Sequence, residues 1–360
     1  MSKKKLYPLL VESSEEALKK QNTDGSMPPG HNGPYHHPET PIRNTCHWII
    51  TFLKAYEITN DESFLQASER GIDFVIEQKG LSKYNYCHRT AGGKDKCNGL
   101  IGPAWTMESL LIASKELGRK DLADLAADIF FLHKFDEKRG LWHVREIDGE
   151  ILSLDYTFNH QLWFAAIGSM FDKKEYPGVH EQVKVFIDRL VHNFNVYKNG
   201  SIKHIVPLVP WNIDILKRIG SEAAEYIVLG KKDAMLKAVG YHQFNLYAFG
   251  ILKENYPGIA FWDSEKFKKA LLYLESSEYE KSLEGNKYGF GYNVAGIEVA
   301  FILSIFKENS EDLVKYWTEK QFQKHYNADK KMLCENTDDP ETVSARLYEA
   351  TRLPDIEIDL

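Results

Sequence analysis

Apolar residues recur at three- and four-residue steps through eleven segments of the chain: 44–58, 61–78, 103–117, 120–135, 159–171, 178–194, 241–254, 264–276, 293–307, 310–325 and 340–352. That period is the turn of an α-helix, and 9–21 supplies a twelfth. Boundary residues agree: Asn60-Asp61 precedes the second segment, Gly118 separates the third from the fourth, and Asp339-Pro340 opens the last. No alternating pattern of strands competes, so the sequence predicts an all-α series of hairpins.

Every second helix differs from its partner. Trp48-Ile49-Ile50-Thr51-Phe52-Leu53 and Val299-Ala300-Phe301-Ile302-Leu303 are apolar nearly all round, whereas Lys315-Tyr316-Trp317-Thr318-Glu319-Lys320 carries a charged stripe. A helix without a polar face is buried, so the first set is inner and the second outer. Two inner helices share a signature, His160-Gln161-Leu162-Trp163-Phe164-Ala165-Ala166-Ile167-Gly168 and His242-Gln243-Phe244-Asn245-Leu246-Tyr247-Ala248-Phe249-Gly250. The mid-helix residues Ala55, Ala113, Ala166, Ala248, Ala300 and Ala350 are spaced by 58, 53, 82, 52 and 50 positions. These are six repeats of about fifty residues with one insertion at 195–240. The sixth inner helix has no outer helix after it, and 9–21 has no inner helix before it. They complete each other, which closes a ring. The expected architecture is one domain over 1–360, an (α/α)6 toroid of six inner and six outer helices.

Connection lengths locate the chemistry. Inner-to-outer links such as 58–61 and 117–119 are short. Outer-to-inner links, at about 22–43, 79–102, 136–158, 195–240, 277–292 and 327–339, are long and must emerge on one face of an antiparallel ring. Nine of the thirteen histidines, His31, His36, His37, His47, His88, His143, His160, His204 and His242, lie in these links or in the first turns of inner helices. Beside them stand Tyr35, Tyr84, Tyr86, Trp142, Tyr156, Trp211, Tyr241, Tyr288 and Tyr292. Aromatic faces interleaved with His, Asn and Glu suit sugars, which present C–H faces for stacking and hydroxyls for hydrogen bonding. Small β-hairpins are expected at the same mouth, one from Trp142 to Ile147 turning at Asp148-Gly149 and one from Val196 turning at Asn199-Gly200. The largest pocket is expected where the long links meet, lined by His47, Trp105, His160, His242 and Tyr292.

Composition narrows the partners. With 45 Lys+Arg against 52 Asp+Glu the net charge is −7, which opposes binding to nucleic-acid phosphates or to an anionic membrane surface. No apolar run approaches the roughly 18 residues of a membrane span, and Lys3-Lys4-Lys5 has no apolar segment behind it, so a cytoplasmic protein is expected. Cys46, Cys87, Cys97 and Cys334 form neither a disulfide scaffold nor a Cys-x-x-Cys pair. His36-His37 lacks a flanking Glu or Cys to complete a ligand set, so neither metal nor cofactor is expected. Nothing in the pattern opposes a homo-oligomer.

Through repeat number and loop asymmetry over nearly its whole length, the chain resembles the six-hairpin glycosidase superfamily, which includes unsaturated uronyl hydrolases, endo-glycosidases and the N-acylglucosamine 2-epimerase type of isomerase. His31-Asn32-Gly33-Pro34-Tyr35, Phe158-Asn159-His160-Gln161-Leu162-Trp163 and Arg346-Leu347-Tyr348-Glu349-Ala350-Thr351-Arg352 are similar to stretches of barrel proteins encoded within surface-glycan biosynthesis clusters. The resemblance implies a carbohydrate-active enzyme, first a glycoside hydrolase acting on a uronate-containing or otherwise anionic oligosaccharide. A sugar epimerase or isomerase and a polysaccharide lyase are the next expectations, and a glycan-binding barrel is the non-enzymatic one.

Hydrolysis of a glycosidic bond ordinarily uses one carboxylic acid and a second carboxylate. Uronyl hydrolases are similar in placing an acid/base aspartate near the position of Asp155, five residues before His160; capping the helix is its other role. Their second functional aspartate has no match among Asn98, Gly99 and Leu100. Glu298, inside an inner helix, is costly to bury unless protonated for catalysis or paired with Arg346. Glu39 and Arg43 bracket the entry to the first inner helix; Arg43 either holds a substrate carboxylate or, four residues from Glu39, pairs with it. His160 and His242 occupy equivalent positions, are expected to face each other across the lumen, and would serve as acid and base in an epimerase-type barrel. His31, His47, Trp105, Trp142, Asn159, Tyr241 and Tyr292 complete the expected substrate-binding set.

Overall fold

A computed structural model of the chain describes residues 3–81, 84–207 and 230–360. Among them are fourteen α-helices: α1 (Leu6–Lys20), α2 (Ile42–Thr59), α3 (Glu62–Leu81), α4 (Ile101–Leu117), α5 (Lys120–Leu132), α6 (Phe158–Gly168), α7 (Pro177–Asn193), α8 (Lys231–Gly240), α9 (His242–Asn255), α10 (Glu265–Leu274), α11 (Ser277–Leu283), α12 (Ala295–Phe306), α13 (Glu311–His325) and α14 (Pro340–Ala345). Each inner helix packs on the next, in the order α2, α4, α6, α9, α12 and the 3-10 segment Arg346–Arg352, which packs back on α2. The (α/α)6 toroid is therefore closed.

Burial follows the predicted division. In α6 every residue is buried except His160, and α12 is buried without interruption from Ala295 to Leu303. Outer α7 buries only a stripe at three- and four-residue steps, Val179, His180, Val183, Phe186, Ile187, Leu190 and Asn193. The six mid-helix alanines are all fully buried. Short links end their helices with left-handed residues, Asn60 after α2 (φ 55°) and Gly118 after α4 (φ 66°). The ring is clasped where β1 (Lys3–Lys5) pairs antiparallel with the strand Glu357–Asp359, Lys3 opposite Asp359. Tyr7 N donates to Asp355 Oδ1 at 3.0 Å beside that clasp.

Three expectations about elements need correction. The last inner helix is α-helical only to Ala345 and tightens to 3-10 winding through Arg352. The helix expected over 120–135 stops at Leu132, because the chain extends at once into β2 (Phe135–Asp136). The links at 195–240 and 277–292, where the sequence predicted no helix, carry α8 and α11. The first hairpin forms as β3 (Leu141–Arg145) and β4 (Ile151–Leu154), with Gly149 at φ 95° in its turn. The second reduces to one bridge, Val196 to Ile202, with Gly200 at φ 102°. Part of the 195–240 insertion, with Trp211, lies outside the described residues. Among the described residues no helix is long and apolar enough to cross a membrane.

Candidate active site

A cavity of about 430 Å³ opens at the end of the barrel where the long links gather. A wider hollow, about 800 Å³, lies at the opposite end around Lys253, Trp262 and Phe306, so the expectation of the largest pocket at the mouth is not met. Of the five residues predicted to line the mouth cavity, Trp105, His160 and Tyr292 do so, and His47 and His242 do not.

Along one wall, His160 Nδ1 lies 2.7 Å from Asp155 Oδ2. The same oxygen accepts from Leu100 N at 3.1 Å, and Oδ1 accepts from Thr157 N at 3.0 Å. Burial raises the Asp155 pKa, but the His160 charge and hydrogen bond, with the two backbone N–H groups, outweigh it and leave the carboxyl below its usual range. Asp155 thereby anchors His160 Nδ1 at the cavity wall. His160, with Nδ1 committed, has no hydrogen-bond partner at Nε2 among the described residues.

His204 lines the same cavity, its ring 5.2 Å from that of Tyr241. Burial first, then the charges of Lys237 and His160, push it down to about 3, so its imidazole is neutral. His204 and His37, and not His242, therefore share the cavity with His160. His242 points away: its Nε2 lies 3.0 Å from Ala270 O and its Nδ1 accepts from Ile202 N at 3.3 Å, so the ring is consumed in tying α9 to its outer neighbours. The expected facing pair of His160 and His242 is corrected accordingly.

The floor holds two guanidinium groups. Arg43 lies over the Trp105 ring at 4.0 Å and directs Nη1 to Glu39, 3.1 and 3.3 Å from its two oxygens. Among the described residues its Nε is buried without a partner, and its side-chain hydrogen bonds all run from Nη1. Burial raises the Glu39 pKa, with Arg43 opposing. Arg346 spends all five N–H groups, on Tyr292 O, Asn293 Oδ1, Glu298 Oε1 and twice on Glu349 Oε1. Glu298 accordingly takes the structural alternative, and does not line the cavity; burial and the Glu349 charge raise its pKa well above the carboxylate range against Arg346.

Asn159 lines the floor with Oδ1 buried and unpartnered. Tyr241 and Tyr292 form a hydroxyl chain from Tyr35 to Asn32: Tyr35 and Tyr241 oxygens are 2.9 Å apart, Tyr241 donates to Tyr292 at 3.4 Å, and Tyr292 donates to Asn32 Oδ1 at 2.8 Å. His47 lies beneath the floor, stacked on Tyr348 at 4.3 Å. Two further predicted ligand contacts are structural. Trp142 is fully buried among Phe130, Phe135, Phe164 and Phe186, and His31 binds Asp338 O at 2.8 Å outside the cavity.

Sequence reasoning missed Asp95, Arg89 and Lys237, all of which line the cavity. Asp95 sits in Lys94-Asp95-Lys96, which reads as a solvated charge run; the following Asn98-Gly99 was the available signal of a tight turn. Its Oδ2 lies 2.6 Å from Arg89 Nη2 and its Oδ1 accepts from Gly99 N at 2.6 Å. Asp95, Cys97 and Glu146 bring ligand-type atoms within 4.8 Å of one another. Asp95 is already committed to Arg89 and Gly99, and burial raises the Cys97 thiol pKa, so the trio reads as a hydrogen-bonded cluster.

No family model matches the chain. Archaeal glycosylation protein Q of Haloferax volcanii is 39% identical over 375 residues, covering 99% of each chain. Among solved structures, a D-mannose isomerase superposes with a TM-score of 0.61 at 12% identity over 97% of both chains. The cellobiose 2-epimerase of Spirochaeta thermophila gives 0.61 at 12% identity over 96% of this chain and 97% of its own. An unsaturated glucuronyl hydrolase specific for heparin gives 0.58 at 12% identity over 96% and 95%. These likenesses agree with the six-hairpin fold that the repeats predict.

Proposed function

Because the chain belongs to the same family as archaeal glycosylation protein Q, we propose that it is a carbohydrate-active enzyme that moves a proton on an anionic sugar, as a sugar isomerase or epimerase does. The observation that carries this reading is the 2.7 Å contact between Asp155 and His160 at the cavity wall. Asp155 holds the Nδ1 proton, so Nε2 acts as the base toward a sugar carbon next to a carbonyl, and Asp155 then stabilises the imidazolium that forms. The unspent donors of Arg43 receive a carboxylate of the substrate, and Trp105 with the tyrosines supports the ring faces.

A glycoside hydrolase is the second reading, favoured by the presence of two carboxylates, Asp95 and Asp155, in one cavity. It ranks behind because every oxygen of both accepts from a protein donor, and both carboxyls are held below their usual range. The test is incubation in heavy water with free uronic acids, uronyl disaccharides and neutral hexoses, read by mass spectrometry. Deuterium on carbon without bond cleavage is the expected outcome, and His160→Gln should lower it by roughly 10²–10⁴. Cleavage without carbon-bound deuterium would replace the isomerase by the hydrolase; neither signal would promote a glycan-binding barrel.

A further inference from the structure

We propose that the Asn98–Gly99 turn, tied down by Asp95, positions the Asp155–His160 pair; the inference rests on reading that pair as the proton carrier. Asn98 (φ 61°) and Gly99 (φ 60°) are consecutive left-handed residues, a conformation that costs energy at Asn98 and persists only where its surroundings enforce it. The product of the turn is one aimed group, Leu100 N, 3.1 Å from Asp155 Oδ2.

Gly99 lines the cavity with no room for a side chain. A Cβ there would lie 2.5 Å from Asp155 Oδ2 and 2.6 Å from His160 Nδ1, so the turn's backbone is pressed against the hydrogen bond of the pair itself. Asp95 fixes this backbone from behind, its Oδ1 accepting Gly99 N at 2.6 Å while Oδ2 is held by Arg89 at 2.6 Å. Two successive amides are thereby directed at two carboxylates, Gly99 N at Asp95 and Leu100 N at Asp155. Asp155 Oδ2 consequently has its donors on fixed sides, and His160 presents Nε2 to the cavity in one orientation. Asp95, Gly99 and Leu100 act through Asp155, so they are positioning residues.

The alternative is that the turn only starts α4. Proton NMR of the free full-length chain separates the two without any substrate, so its outcome stands apart from the identity of the reaction. The hydrogen-bonded Nδ1 proton of His160 should give a downfield resonance, assigned by its loss in His160→Gln. Gly99→Ala and Asp95→Ala should each abolish or broaden it. What remains of the signal should disappear at higher pH than in the wild type, because an Asp155 short of a backbone donor is protonated more readily. In the heavy-water assay Asp95→Ala should lower kcat on the order of 10-fold with KM within about twofold. Should Gly99→Ala fail to fold, Asp95→Ala, which adds no atoms, decides the matter alone. An unchanged resonance and pH limit in Asp95→Ala with only a lower Tm would reduce the turn to a helix start. A change in KM alone would make Asp95 a substrate contact. Either result overturns the inference.

Discussion

Arg43 and Arg346 are both buried guanidinium groups on the floor of one cavity, each near an aromatic ring, Trp105 at 4.0 Å and Phe244 at 5.2 Å. They differ in what their donors are doing. Arg346 has given every N–H to Tyr292, Asn293, Glu298 and Glu349 and has nothing left for a ligand, whereas among the described residues Arg43 satisfies one nitrogen and leaves two unspent. Lining a site and serving it are separate properties. A count of committed donors distinguishes them where burial and charge do not.

The largest effect that should sharpen this contrast is on stability. Arg346→Met strands two buried carboxylates and should cost about 3–5 kcal/mol in urea unfolding. A variant that unfolded normally but lost its sugar would break the contrast. Arg43→Lys keeps the charge beside Glu39 while removing the fork, so calorimetry should show uronate binding weakened by about 1.5–3 kcal/mol with Tm nearly unchanged. Equal affinity of the wild type for D-glucuronate and D-glucose would remove the role assigned to Arg43. The smallest effect concerns Glu298. Its pKa is raised in the folded chain, so the stability linked to its proton is complete below the unfolded value of about 4.3 and is lost as pH rises through the folded value. Between about pH 5 and pH 8 the urea midpoint of the wild type should fall with rising pH relative to that of Glu298→Gln, which has no proton to lose.

The ring was legible because burial imposes periodicity: inner helices such as α12 have no polar face, and outer ones such as α7 have one stripe. His160 was legible as a polar residue at a repeat position. Its counterpart His242 was not, because equivalent positions on α6 and α9 look alike in sequence while the hairpin at Val196 and Ile202 covers only the second. Asp95 was hidden by its lysine neighbours, since charge patterning reports average solvation and not the hydrogen bonds a single turn can gather. Trp142 failed for the opposite reason: hairpin residues alternate between faces, and this one faces Phe164 and Phe186.

Unequal connection lengths also govern how such a molecule can diverge. The turns at 59–62 and 117–120 set the spacing of neighbouring hairpins, so an added residue there would have to be absorbed by close-packed helices. A mouth segment enters and leaves over fixed helix ends, and doubling its length costs only about 0.6 kcal/mol in closure entropy. Descendants of this chain can therefore exchange the part of the cavity lining that the mouth segments supply, while the inner-helix residues of the floor are inherited with the ring.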